Sequence, residues 1–149
     1  MYQKTTNSIY SIKYHIVLTI KYRKQLMNTY GDFIISIINQ LTTSHKFSID
    51  TINHDKDHIH ILVAARPDIS PSQIVKVIKQ QTSYELWNTF DADLRKQFWK
   101  RHIFWNRSSF ISSVGDVDKS VIEHYINNQG GTPRLSVGLK TQQAYAAKC

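Results

Sequence analysis

Cysteine is nearly absent from this chain. Its 149 residues hold one, Cys149, at the last position. An internal disulfide is excluded, and nothing points to an oxidising compartment. Long apolar runs are missing too: no stretch approaches the ~20 residues that a membrane-spanning helix needs. Residues 1–7 carry a lysine with no apolar run behind it, so no secretory leader is expected. There is no internal repeat and no low-complexity segment. Acidic side chains are few: 11 Asp and Glu stand against 19 Lys and Arg, a formal net charge of +8. A polyanionic partner fits that excess, nucleic acid first and an anionic membrane surface second, although many basic proteins simply stay soluble this way. The rest is ordinary for a globular protein, with 41% hydrophobic and 20% charged residues. The expectation is a cytoplasmic protein with one domain over residues 1–131 and a loose tail over 132–149.

The hydrophobic pattern predicts the elements. Residues 10–19 alternate, with Ile12, Tyr14, Ile16 and Leu18 on one parity, which reads as a strand. A basic turn, Lys21-Tyr22-Arg23-Lys24, follows. Phe33, Ile34, Ile37, Ile38 and Leu41 recur at helical spacing within residues 30–45. Residues 48–53 and 58–65 read as two strands of an antiparallel hairpin around a polar turn. Ser70-Pro71-Ser72-Gln73 announces a helix: a capping serine, a proline suited to the first helical position and a glutamine that completes a capping box. Ile74, Val77 and Ile78 give it a buried side; Lys76, Lys79, Gln80 and Ser83 give it a polar one. Residues 91–99 fit a short amphipathic helix or a loop, and 104–113 a fourth strand. Asp116 or Asp118 can cap a last helix that Gly130-Gly131 ends. The order β-α-β-β-α-β plus an extra helix is the ferredoxin-like, or RRM-like, α+β arrangement, an antiparallel sheet with helices on one face.

Two short pieces carry chemistry. His58 and His60 are two apart on a strand and share a face, while Ile59, Ile61 and Val63 take the other and should pack under the helices. Two imidazoles so placed can bind one divalent ion and leave positions open for substrate. The ion can then polarise a phosphate oxygen. Mg²⁺ prefers oxygen ligands, so Mn²⁺ should suit the pair at least as well. The same pair also fits two polar residues on the exposed face of a hairpin. His54 has the same parity as the pair but is expected beyond the strand end. Asp55 and Asp57 read as ordinary turn residues.

Tyr125 and Gln129 are four apart and share a helix face. A phenol of pKa near 10 is a poor nucleophile at neutral pH without help. A metal polarising the phosphate lessens the need for a phenolate, and the glutamine carbonyl can serve as a third, neutral ligand. Tyr125 fits equally a tyrosine half buried on an amphipathic helix.

Read in order, the segments resemble the HUH-superfamily single-tyrosine transposases, small enzymes that mobilise insertion sequences as single-stranded DNA. Tyr14-His15-Ile16-Val17 running into Lys21–Lys24 looks like that family's first strand and basic turn. Asp57-His58-Ile59-His60-Ile61-Leu62-Val63 looks like its metal motif, Phe104-Trp105 through Gly115 like its last strand, and Tyr125-Ile126-Asn127-Asn128-Gln129 like its nucleophile helix. The similarity spans about residues 9–130. It implies that His58, His60 and Gln129 hold a divalent metal, Mg²⁺ or Mn²⁺. It further implies that Tyr125 attacks DNA to form a 5′-phosphotyrosine link, freeing a 3′-OH that later rejoins strands. Family members are homodimers whose active sites can be composite, and they recognise hairpins near element ends. The middle residue of the metal motif here is Ile59, which fits the strand.

Lys21, Tyr22, Arg23, Lys24, Lys76, Lys79, Lys100, Arg101 and Arg107 are candidates for phosphate contacts, the 21–24 turn foremost. Tyr22, Trp99 and Trp105 are candidates for stacking on unpaired bases, although both tryptophans fit a core as well. The competing readings are a related nickase (a replication initiator, a relaxase or a domesticated transposase acting on palindromes), a non-catalytic RRM-like single-strand binder, and a phosphodiesterase using water. An RRM reader would offer sheet-face aromatics where this chain offers histidines.

Overall fold

Alternation builds the sheet, and register fixes what each of its faces carries. The computed structural model describes residues 3–4 and 9–114. A two-stranded ribbon pairs β1 (Gln3–Lys4) with β2 (Ile9–Tyr10). The main sheet contains β3 (Lys13–Thr19), β4 (Phe47–Asp55), β5 (His58–Ala65) and β6 (Phe110–Val114), in the order β4-β5-β3-β6 and antiparallel throughout. Helix α1 (Met27–Leu41) follows a 3₁₀ turn at Lys21–Arg23, and α2 (Pro71–Arg95) joins β5 to the last strand. This is the expected β-α-β-β-α-β order. The extra C-terminal helix and the tail expected at 132–149 lie outside the described residues.

One face of the sheet packs on the helices. Ile16, Leu18 and Ile20 on and after β3, and Ile59, Ile61 and Val63 on β5, are buried with Ile34 and Ile38 of α1 and with Ile74, Ile78, Leu86 and Trp87 of α2. Each fully buried aliphatic side chain contributes about 1.5–3 kcal/mol. This single layer therefore supplies most of the hydrophobic drive. The capping box forms as the sequence requires: Ser70 Oγ accepts from the Gln73 N–H at 3.1 Å, and the Ser70 N–H donates to Gln73 Oε1 at 2.8 Å.

Four of the boundaries that differ from expectation do so for a visible physical reason. The first strand is broken at Ser11-Ile12, because Ile9–Tyr10 pairs with Gln3–Lys4 instead of the main sheet. Helix α1 stops at Leu41 and not near 45, because the Thr42 and Thr43 hydroxyls donate back to the carbonyls of Asn39 (2.8 Å) and Gln40 (2.9 Å). The short helix or loop expected at 91–99 is in part the end of α2, which runs on through a non-helical Phe90 (φ −121°, ψ 32°) to Arg95. The fourth strand begins at Phe110, six residues late. Phe104 to Asn106 instead latches onto the end of β3, through Lys21 N–H to Phe104 O at 2.8 Å and Asn106 N–H to Thr19 O at 2.7 Å. The Lys79 ammonium then donates to the carbonyls of Asn106, Arg107 and Ser108 at 2.8, 3.1 and 3.4 Å, satisfying backbone that no strand pairs.

Candidate metal and nucleic-acid site

The opposite face carries the histidine pair. Cross-strand partners share a face, so the register Thr19↔His58↔Asp55 and Val17↔His60↔Asn53 sets the histidine pair between β3 and β4. The pair is where its spacing places it, away from both helices. That face is not open at its centre, however: Val17, Phe110, His15, Thr19 and His58 are all buried, outside the helix-side core. His54 differs from expectation. It lies within β4 and pairs with Ile59, which puts it on the helix side, where a methyl on Gly31 would run into its ring. Parity counted along the sequence does not carry across a two-residue turn.

The rings of His58 and His60 lie 5.8 Å apart between centroids, tilted by 36°. Two imidazoles on one ion, each through a metal–nitrogen bond of ~2.1 Å, have centroids no more than about 6.5 Å apart. The pair thus fits a shared divalent cation. The protonation of His60 fits too. Burial, with the His58 charge second, lowers the His60 pKa to about 4, against a smaller opposing pull from Asp55. A ring that stays neutral well below pH 6 keeps a lone pair for metal. His15 stacks on His60 at 6.3 Å and 28°, and burial lowers its pKa to about 4 as well. Among the described residues no cluster of three or more His, Cys, Asp or Glu could hold a metal. The pair offers two candidate donors; Gln129, the third in the sequence reading, and Tyr125, the nucleophile expected there, both lie outside the described residues.

Asp57, read from sequence as a turn residue, contacts the pair through His58. Its Oδ1 lies 2.8 Å from His58 Nδ1, and its Oδ2 accepts from Arg23 Nε at 2.8 Å. Burial pushes its carboxyl pKa up, but the hydrogen bonds from His58 and Arg23 and the charge of Arg23 outweigh that and hold it below the usual carboxylate range. The signal was present in the sequence as an acidic residue abutting the motif. What the sequence lacked was Arg23, 34 residues away.

The basic turn stands beside this site. Tyr22 (φ 62°) and Arg23 (φ 51°) both adopt left-handed backbone, which turns the chain sharply after β3. Tyr22 is 59% exposed and Trp99 is 77% exposed, and the Trp99 indole N–H donates to the Tyr22 hydroxyl at 3.1 Å. Lys21 sits over the Tyr22 ring and Lys24 over Phe98, at 5.6 and 5.8 Å. Trp105 is in the core, with its N–H on Thr82 Oγ1 at 2.8 Å, which removes it as a stacking platform. Lys21, Lys79, Tyr84, His102 and Arg107 line a cleft of about 580 Å³. Among the residues expected to touch DNA, Arg23 pairs with Asp57, Lys79 with loop carbonyls, Tyr22 with Trp99 and Arg101 with Asp91.

A four-stranded antiparallel sheet with a histidine pair on the face away from its helices, beside a basic turn, is the arrangement expected from the resemblance to a class of DNA-processing enzyme, the single-tyrosine transposases. The family described as "Transposase IS200 like" matches residues 8–129, and the chain belongs to that family of HUH tyrosine transposases. It is 32% identical over 123 residues to the transposase for insertion sequence element IS200 of Salmonella typhimurium, covering 80% of this chain and 78% of that one. It is 25% identical over 128 residues to the ISDra2 transposase TnpA of Deinococcus radiodurans, covering 85% and 90%. Its fold matches the crystal structure of a putative transposase from Deinococcus radiodurans with a TM-score of 0.70 at 24% identity, over 85% of this chain and 97% of that one. It also matches a REP-associated tyrosine transposase bound to a REP hairpin, with a TM-score of 0.57 at 16% identity, over 86% and 73%.

Proposed function

We propose that this transposase cleaves and rejoins single-stranded DNA at insertion-sequence ends through a covalent tyrosine intermediate. The Tyr125 phenol oxygen forms a bond to a backbone phosphorus. The bond to the 3′ oxygen breaks, and that oxygen leaves as a 3′-OH after taking a proton. The 5′-phosphotyrosine ester conserves the energy of the broken bond, so a later 3′-OH can displace Tyr125 and join strands without ATP. His58 and His60, with Gln129, would hold a divalent ion, Mg²⁺ or Mn²⁺, which when bound supplies positive charge at the phosphate. His60 and His15 stay neutral and so keep the face free of their own positive charge at working pH.

The observation that carries this reading is the histidine pair, at metal-sharing distance on the sheet face away from both helices. Family membership makes DNA the substrate; hairpin-ended single strands and a homodimer with composite sites belong to the proposal. Lys21, Tyr22, Arg23, Lys24 and Arg107 are assigned to DNA, Lys79 acting beside them through the loop it anchors. No helix among the described residues is long and apolar enough to cross a membrane, and the proposed setting is the cytoplasm.

The test is a denaturing protein gel after incubation with labelled single-stranded DNA from the element end and Mn²⁺ or Mg²⁺. A covalent adduct that Tyr125→Phe abolishes is expected. An unchanged adduct in that variant would sink the assignment of the nucleophile.

A further inference from the structure

The carboxylate of Asp57 joins two segments that sequence alone kept apart. One oxygen meets His58 Nδ1 and the other meets Arg23 Nε, each at 2.8 Å. The backbone reinforces the junction: Ile20 N–H donates to Asp57 O at 2.9 Å, and Met27 N–H to Lys56 O at 3.0 Å. The tip of the β4–β5 hairpin is thereby stitched to the 20–27 segment at three points. The Asp57 side chain is only 15% exposed, so water competes weakly for either oxygen.

We propose that Asp57 is a positioning residue for His58, fixing its tautomer and ring orientation so that Nε2 faces the metal, with Arg23 as the brace that keeps the carboxylate from rotating away. This rests on the metal role proposed for His58. An ionised carboxylate only accepts hydrogen bonds, so the hydrogen in the His58–Asp57 contact belongs to Nδ1. The neutral ring then has its lone pair on Nε2. Carboxylate-to-imidazole contacts of this kind orient metal-bound histidines and raise their basicity, and losing one typically weakens metal binding 10–100-fold. Arg23 Nε is used by this bond, leaving the four terminal N–H donors of its fork outside it. A single side chain thus links the basic turn to the metal motif.

The test uses the full chain without DNA. Long-range ¹H–¹⁵N spectra of the histidine rings in metal-free protein at neutral pH read the His58 tautomer. Mn²⁺ titration followed by electron paramagnetic resonance reads affinity. The expected wild-type result is a His58 ring protonated on Nδ1. Asp57→Ala should redistribute that proton and weaken Mn²⁺ binding 10–100-fold. Asp57→Asn, whose amide oxygen can still accept from Nδ1, should keep the tautomer and lose less. Arg23→Gln should weaken binding by less than Asp57→Ala. A wild-type ring protonated on Nε2 overturns the proposal, even if Asp57→Ala fails to fold. Unchanged Mn²⁺ affinity in folded Asp57→Ala, with binding abolished in His58→Ala, overturns the positioning role and leaves the proposed metal site standing. Absence of Mn²⁺ binding to the wild type overturns both.

Discussion

The two faces of the central sheet are built from the same strands and obey opposite rules. On the helix side every residue contributed by β5 before its last position is Ile59, Ile61 or Val63, each fully buried and interchangeable in kind. On the other side the same strand offers His58 and His60, and its neighbours offer Thr19, His15, Asn53 and Asp55. His15, Thr19 and His58 are buried there, beside Val17 and Phe110, while His60 is half-buried and Asn53 and Asp55 are exposed. Burying polar groups costs free energy unless something compensates. Compensation is visible in the Asp57 contact to His58, and the lowered pKa values of His15 and His60 express the cost of charging those rings in place. One face is a source of stability, and the other uses part of that stability to hold donors in place.

Substitutions that separate the faces give the strongest tests. Ile61→Ala should cost about 2–5 kcal/mol by chemical denaturation, through lost transfer energy and a residual cavity, while folded protein keeps its Mn²⁺ affinity. His60→Ala should do the reverse, cutting strand cleavage at least ~100-fold with a small change in the unfolding midpoint. A collapse of stability in His60→Ala would erase the distinction between the faces. Tyr22→Ala should weaken single-strand binding by about 1–3 kcal/mol, read by fluorescence titration, if its exposed ring stacks on a base. Ser70→Ala, remote from both faces, should cost only ~1 kcal/mol of stability by removing the α2 cap.

Acid should probe the polar face alone. His15 and His60 have folded-state pKa values of about 4 against an ordinary 6.5, so between those values the unfolded chain binds more protons. Stability from their neutral burial is fully present above about pH 6.5 and is lost as pH falls towards 4. Thermal unfolding should therefore drop across that window, less so in a His15→Phe variant.

The helix-side face was legible in the sequence because it depends on periodicity, which each strand carries within itself. The spacing of Ile59, Ile61 and Val63 was sufficient, and so was the Ser70–Gln73 box. The polar face was half legible. His58 and His60 share a strand, so their common side could be read directly. Asp57 could not be read as more than a turn residue, because its second partner, Arg23, arrives from a left-handed turn that no local pattern announces. His54 was placed wrongly for a related reason: only the pairing register, here His54↔Ile59, tells which side a residue takes after a turn. Lys79 read as part of a basic surface and proved to anchor a loop, a contact spanning 27 residues to Asn106.

The most direct measurement is the metal dependence of the covalent adduct. Labelled element-end single strand is incubated with wild type, Tyr125→Phe and His60→Ala, with Mn²⁺ or with chelator, and resolved on a denaturing protein gel. The histidine face and Tyr125 acting as one site predict an adduct in the wild type with Mn²⁺, none with chelator, none in Tyr125→Phe, and at least ~100-fold less in His60→Ala. An adduct of full yield in chelator, or in His60→Ala, would contradict that account.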